Sequence, residues 1–252
     1  MSPLEAGLIA LAGVAAGTIN TVVGSGTLIT FPTLLAFGVP PVTANVSNTI
    51  GLVPGSVAGA VGYRRELAGQ RSRLLRLASA SLLGGVVGGV LLLWRPDAFE
   101  VVVPVLIGLA LVLVVAGPRI SAWVARRHAA VGGLPARGAW WVWPLMFGCG
   151  VYGGYFGAAQ GVLMMAVLGI GVDETLQRLN GLKNVLAALV NGVAGVLFVL
   201  VAEVDWQIVA LIAVGAVVGG LLGASIGRRL PPAVLRAVIV VVALVALVIL
   251  LT

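Results

Sequence analysis

Apolar residues run along this chain in blocks of roughly the 20 positions a helix needs to cross a bilayer, with polar residues gathered between the blocks. The runs cover 4–23, 43–62, 74–94, 99–117, 139–158, 177–201, 206–226 and 234–251. Two shorter apolar pieces, 26–38 and 160–171, each follow a cluster of small residues. The pattern predicts an all-α integral membrane protein with eight long and two short membrane segments.

The stretch GTINTVVGSGTLITFPTLLAFGVPPVTANVSNT, from Gly17 to Thr49, returns as YGGYFGAAQGVLMMAVLGIGVDETLQRLNGLKN, from Tyr152 to Asn184. At an offset of 135, Gly26 matches Gly161, Leu28 matches Leu163 and Asn45 matches Asn180. One position further on, Asn48 matches Asn184, and Val57, Ala58 and Gly59 match Val193, Ala194 and Gly195. Each copy is an apolar arm, a break of small residues, a short apolar piece and a helix opening with amides. Free backbone groups cannot face lipid, so such breaks survive only where they line a cavity. Two broken segments at corresponding places in two halves point to a transport site.

Arginine placement sets the expected orientation. Arg64, Arg65, Arg71, Arg73 and Arg76 fall in one linker, Arg119, Arg126, Arg127 and Arg137 in a second, and Arg228, Arg229 and Arg236 flank a third turn. With all three inside, the turn 95–100 and the acidic turn 203–205 lie outside, as do both termini. Segment 43–62 then starts outside and 177–201 inside, so the halves form two inverted repeats, each a broken helical hairpin plus three spanning helices. The expected division is 1–117 for the first repeat, 118–138 for a cytoplasmic basic linker and 139–252 for the second repeat. The hairpins 4–38 and 139–171 are read as a long arm with a short returning one; a less economical reading makes both arms full spans, giving ten crossings. GGVVGG at 84–89 and GAVVGG at 215–220 read as helix-packing scaffold, and Trp140, Trp141 and Trp143 as interface anchors.

Composition narrows the function. The 252 residues are 60% hydrophobic and only 9% charged, with mean hydropathy +1.16, which excludes an ordinary soluble domain. The net charge of +7 sits in short clusters between apolar runs, which assigns it to orientation in the bilayer and excludes nucleic acid as a partner. One cysteine and one histidine leave no metal site built on nitrogen or sulfur, and no cofactor is expected. No nucleophile–base pair or carboxylate pair lies in the apolar segments, so the chain is not expected to be an enzyme.

The chemistry that remains suits an anion. Glycine-rich turns expose N–H groups, and each new helix N-terminus adds a positive dipole end. In the first copy the candidate substrate-binding residues are Asn20, Thr21, Gly24, Ser25, Gly26 and Thr27, joined by Asn45, Ser47, Asn48 and Thr49. In the second they are Tyr155, Gln160, Gly161, Asn180, Lys183 and Asn184. Lys183 is the sole lysine and lies some six residues into an apolar run, where a cation costs at least ~2.5 kcal/mol without a partner or water. It either faces an anion, snorkels to the cytoplasmic surface or pairs with Asp173 or Glu174. The amides either bind substrate or hold helices together.

The Gly17–Thr49 stretch, its second copy and LPPAVLRAVI near the end resemble the TauE/SafE family of sulfite exporters, small permeases with two similar halves. The resemblance covers essentially the whole chain. It implies transport of sulfite, an organosulfonate or another small sulfur-containing anion across the bacterial cytoplasmic (inner) membrane. The expected partners are that anion and the lipid bilayer, with assembly into a homo-oligomer left open. Export by alternating access to a midplane site is the first reading; uptake of a related anion, such as a sulfonate or thiosulfate, coupled to an ion is the second, and a structural membrane protein the third. No acidic residue lies within a long apolar run, so no carboxylate proton relay is visible.

Overall fold

The computed structural model describes residues 1–130 and 137–225, with a few further positions between 237 and 244. The expected last segment, 234–251, and the arginines at 228, 229 and 236 therefore fall largely or wholly outside the described residues. Those described are all-helical: α1 (Pro3–Val22), α2 (Thr27–Ala36), α3 (Pro41–Gly62), α4 (Arg71–Trp94), α5 (Pro96–Ala130), α6 (Val142–Tyr155), α7 (Gln160–Gly171), α8 (Leu176–Val201) and α9 (Trp206–Ser225). Five of these, α1, α4, the Pro96–Arg119 part of α5, α8 and α9, are long and apolar enough to cross a membrane. This is a multi-pass membrane protein.

Local chemistry sets the starts. Ser2 and Glu5 form a reciprocal capping box before Pro3, Pro41 stands in the first turn of α3, and the Asp205 carboxylate accepts from the N–H groups of Gln207 and Ile208 at α9. Each device satisfies or removes donors that a helix start leaves free.

One expectation needs correction. The run 139–158 was expected to be one long arm, but α6 has 14 residues, about 21 Å at 1.5 Å per residue and short of the ~30 Å hydrocarbon core. The helix starts late, after Gly138 at φ +82°, and Arg76 donates to the carbonyls of Arg137, Gly138, Ala139 and Trp140 in the segment before it. Helix α5 continues through Pro118 to Ala130.

Elements recur at two spacings rather than one. The ends of α1 and α6 (Val22, Tyr155) and the starts of α2 and α7 (Thr27, Gln160) are 133 residues apart. The starts of α3 and α8 (Pro41, Leu176) and of α4 and α9 (Arg71, Trp206) are 135 apart. The difference is absorbed by α7, two residues longer than α2. This moves the equivalences: Gly24 corresponds to Gly157 at the break, and Asn48 to Lys183 rather than to Asn184.

Packing partners are exchanged between the halves. Helix α1 lies along α9 and α6 along α4; α3 lies along α9, and α8 along α4. Glycines permit these approaches, since a Cβ at Gly84 would meet Phe147 O at 2.3 Å and one at Gly219 would meet Val14 O at 2.0 Å. Helices α3 and α8 meet antiparallel, Gly195 near Ile50 and Val53, Gly181 near Tyr63 and Glu66. Between them, Ile50, Val53 and Pro54 of α3 and Val196, Val199 and Leu200 of α8 line an apolar cavity of about 360 Å³.

Candidate functional site

The first break is made by one turn of backbone. The N–H groups of Val23 and Gly24 both donate to Ile19 O, at 2.7 and 3.0 Å, and Gly24 adopts φ +85°, a left-handed conformation that favours glycine. The second break repeats this 133 residues on: Phe156 N and Gly157 N donate to Tyr152 O at 2.9 and 3.0 Å, with Gly157 at φ +77°. Each break leaves a helix end with carbonyls to satisfy and a new helix start with N–H groups to satisfy.

At the α1 end, three side chains of α8 supply the missing donors. The Lys183 ammonium donates to Asn20 O at 3.0 Å and Thr21 O at 3.2 Å. Asn180 and Asn184 each donate to Thr21 O at 3.2 Å. Lys183 is fully buried, 0% exposed, which removes the snorkelling reading. The pairing reading fails as well: Glu174 is held by Arg73 at 3.2 Å and Arg178 at 2.7 Å, and among the described residues no carboxylate pairs with Lys183. A cation at the negative end of a helix is favourably placed.

Helix α2 opens on the far side of the same break. Leu28 N and Ile29 N turn back to Ser25 O and Gly26 O, and no side chain caps the helix. Among the described residues no acceptor reaches the N–H groups of Ser25, Gly26 or Thr27. The Ser25 hydroxyl is buried, 1% exposed, and has no partner. Asn48 anchors the helix from α3: its Oδ1 accepts from Thr30 Oγ1 and its Nδ2 donates to Thr27 Oγ1 at 3.4 Å.

The two breaks touch. Gly161 N donates to Gly24 O at 3.0 Å, and a Cβ on either glycine would lie 2.4 Å from the other's Cα. Ala159, at φ 58°, heads α7, and its neighbour Gln160 donates back to Cys149 O of α6 at 3.3 Å, within its own hairpin. Asn45 of α3 donates to Tyr155 O at 3.0 Å, a cap on the α6 end matching the one Asn180 makes on α1. Phe31, Phe99, Phe156 and Tyr155 stack edge to face around this second break.

The structure thus gathers Asn20, Thr21, Gly24, Ser25, Gly26, Thr27, Asn48, Asn180, Lys183 and Asn184 at the first break, with Gly161 against it. Asn45, Tyr155 and Gln160 belong to the second. Ser47 is elsewhere, accepting from Asp205 N at 3.0 Å on the α8–α9 connection, and Thr49 is buried in α3 one position beyond Asn48. Sequence reasoning missed Thr30 and Ser56, the latter accepting from Asn20 Nδ2 at 3.3 Å. Both share a helix face with residues already singled out, Thr30 three after Thr27 and Ser56 eight after Asn48, and that periodicity was the available signal.

Beyond the breaks, one polar cluster joins the α3–α4 and α7–α8 connections. Arg73 donates to Gln70 Oε1 at 2.7 Å and to Glu174, and Gln70 donates to Arg178 O at 3.1 Å. Partial burial works against ionisation of Glu174, but hydrogen bonds and charge from Arg178 and Arg73 outweigh it and hold the carboxyl below its ordinary range.

Residues 9–250 match the family described as Sulfite exporter TauE/SafE. The probable membrane transporter protein YfcA of Escherichia coli (strain K12) is 29% identical over 238 residues, covering 91% of this chain and 82% of the relative. YfcA from two further strains of that species matches to the same extent. No solved structure matches the chain.

Proposed function

The chain belongs to the sulfite exporter TauE/SafE family and is a membrane transporter, and from that premise we propose that it carries a small sulfur-containing oxyanion, sulfite or an organosulfonate, at the α1–α2 break. The observation that carries this reading is the fully buried Lys183 at the α1 end. A helix end carries about half an elementary charge. The lysine, the negative end of α1 and the positive start of α2 therefore sum to about one positive charge, while the second break sums to about zero. The N–H groups of Ser25, Gly26 and Thr27 and the Ser25 hydroxyl supply donors to replace an oxyanion's hydration. Asn180, Asn184 and Asn48 act one layer back, holding the two helix ends that make the cradle.

The cycle is alternating access between two inverted repeats, residues 1–117 and 139–252, joined by 118–138. Recurring element boundaries, exchanged packing partners and the antiparallel meeting of α3 with α8 support that reading. The linker faces the cytoplasm and both termini face out of the bacterial inner membrane. Export is the direction the membrane potential favours, by about 2.3 kcal/mol per charge per 100 mV. The test is flux in proteoliposomes of sulfite, sulfate, a sulfonate and chloride under an imposed potential. Selective sulfite or sulfonate flux is expected; equal flux of all four, or none, overturns the proposal.

A further inference from the structure

The two broken helices end in the same backbone geometry but are completed differently. At the α1 end, the carbonyls of Asn20 and Thr21 receive an ammonium and two amide donors from α8. Their counterparts 133 residues on are Gly153 and Gly154 of α6, both buried. Among the described residues no hydrogen-bond donor reaches either carbonyl, and Tyr155 O next to them has only Asn45 Nδ2. The position corresponding to Lys183 is Asn48, whose amide is turned away to Thr27 and Thr30 of α2. One end has a cation built into the chain; the other has carbonyl oxygens and none.

An independent observation marks the same place. Asn45 is 1% exposed, and its Oδ1 has no partner; its counterpart Asn180 Oδ1 has none either, but there Lys183 already holds the helix end. The amide orientation is fixed, because turning it over would set oxygen against Tyr155 O. A buried acceptor without a donor is costly, and the other end of the same amide is engaged at Tyr155 O.

We propose that the α6 end is a binding site for a small monovalent cation such as sodium or lithium, held by Asn45 Oδ1 and the carbonyls of Gly153, Gly154 and Tyr155. Neutral oxygens at the negative end of a broken helix are the ligand set that suits such an ion. A divalent ion requires carboxylates, and the described residues contain no cluster of three or more acidic, histidine or cysteine side chains. The ion does for α6 what Lys183 does for α1. Because Gly161 N bonds Gly24 O across the breaks, the site lies against the oxyanion cradle.

The experiment uses the full chain in lipid nanodiscs with no sulfur anion present. Thermal unfolding is followed in lithium, sodium, potassium and choline chloride at equal ionic strength. A saturable rise in unfolding temperature with one of the small cations over choline is expected, and equal stability in all four salts overturns the proposal. Asn45→Leu removes the ligand, so a cation-dependent rise that persists in it also overturns the proposal. Should that variant not fold, Asn45→Asp decides: a carboxylate at the same place tightens the half-saturating cation concentration at least tenfold, and an unchanged value counts against the site. Anion flux plays no part in this readout, so its outcome is separable from that of the oxyanion reading.

Discussion

Replacing Lys183 with Met separates the electrostatic role of this side chain from its structural one, because the structure predicts opposite outcomes for the two. Loss of the ammonium leaves Thr21 O with two donors, Asn180 and Asn184, and leaves Asn20 O with none. One buried carbonyl without a donor costs about 1–3 kcal/mol. Removing a cation from hydrocarbon depth returns about 2.5 kcal/mol or more, and Met fills most of the same space. These terms cancel to within about 2 kcal/mol, so Lys183→Met folds with its unfolding temperature moved by a few degrees. The anion meets a different balance. At about 5 Å and an effective dielectric of 20, a unit charge contributes about 3 kcal/mol, roughly a hundredfold in affinity. The assay is sulfite flux against concentration in proteoliposomes, beside thermal unfolding of the same preparations. Lys183→Gln retains a donor for Asn20 O without the charge, so it should fall with Met in flux and closer to wild type in stability. A folded Lys183→Met whose half-saturating sulfite concentration stays within about threefold of wild type refutes the reasoning at this magnitude.

Ser25→Ala removes a hydroxyl that has no partner, so stability should move by no more than about 0.5 kcal/mol while sulfite affinity drops about tenfold, the ~1.4 kcal/mol of one lost hydrogen bond; parallel unfolding and flux curves check both. Gly24→Ala meets Gly161 Cα at 2.4 Å as well as a left-handed backbone, whereas Gly38→Ala, at φ +76° with nothing within 4 Å, meets the backbone cost alone, about 1–2 kcal/mol. Urea titrations should therefore show Gly24→Ala as clearly the more damaging, and equal losses would deny the contact between the breaks. Glu174 has its carboxyl held below the ordinary value of 4.5 by Arg178 and Arg73, so its contribution is fully present above about pH 4.5 and is lost as pH falls through the lowered value. Glu174→Gln should flatten the acid limb of an unfolding-versus-pH curve and leave the limb above pH 6 unchanged in shape; an unaltered acid limb would place the acid sensitivity elsewhere.

The hydrophobic pattern alone placed the helices, because a bilayer demands long apolar runs and nothing in a short loop competes with that signal. Runs 4–23, 74–94, 177–201 and 206–226 became α1, α4, α8 and α9 with ends moved by a few residues at most. The pattern failed at 139–158, where α6 starts late and Arg76 from another helix donates to the carbonyls before it, and no local reading of the segment contains that contact. The breaks were legible as clusters of small residues, but their equivalence was misread. Gly26 with Gly161 is a match of letters, while Gly24 with Gly157 is a match of backbone. Lys183 was legible as an anomaly because a cation deep in an apolar run needs a reason. What it touches was not, since its partners are backbone carbonyls 162 and 163 residues away and every residue has one of those. Ser47 shows the converse: a polar letter beside residues gathered at the breaks that faces the α8–α9 connection instead.

The distribution of polar ties explains how a ligand at the breaks would act on the whole molecule. By packing, the helices fall into two bundles, α1, α3 and α9 in one and α4, α6 and α8 in the other, each drawing helices from both halves of the chain. Between α3 and α8, where the bundles face each other, part of the seam is an apolar cavity, and small apolar surfaces slide at little cost. Several polar ties near the breaks cross this seam at helix ends: Lys183, Asn180 and Asn184 of α8 on α1, Asn45 of α3 on α6, and Gly161 N on Gly24 O. One bundle cannot rock against the other without lengthening those bonds, and each bond lost leaves a buried carbonyl to be satisfied. A bound ion or anion that takes over as donor or acceptor at a break changes the cost of that step directly. Occupancy of the breaks and the relative position of the bundles would then depend on the same few hydrogen bonds, which is the coupling that the proposed alternating access requires.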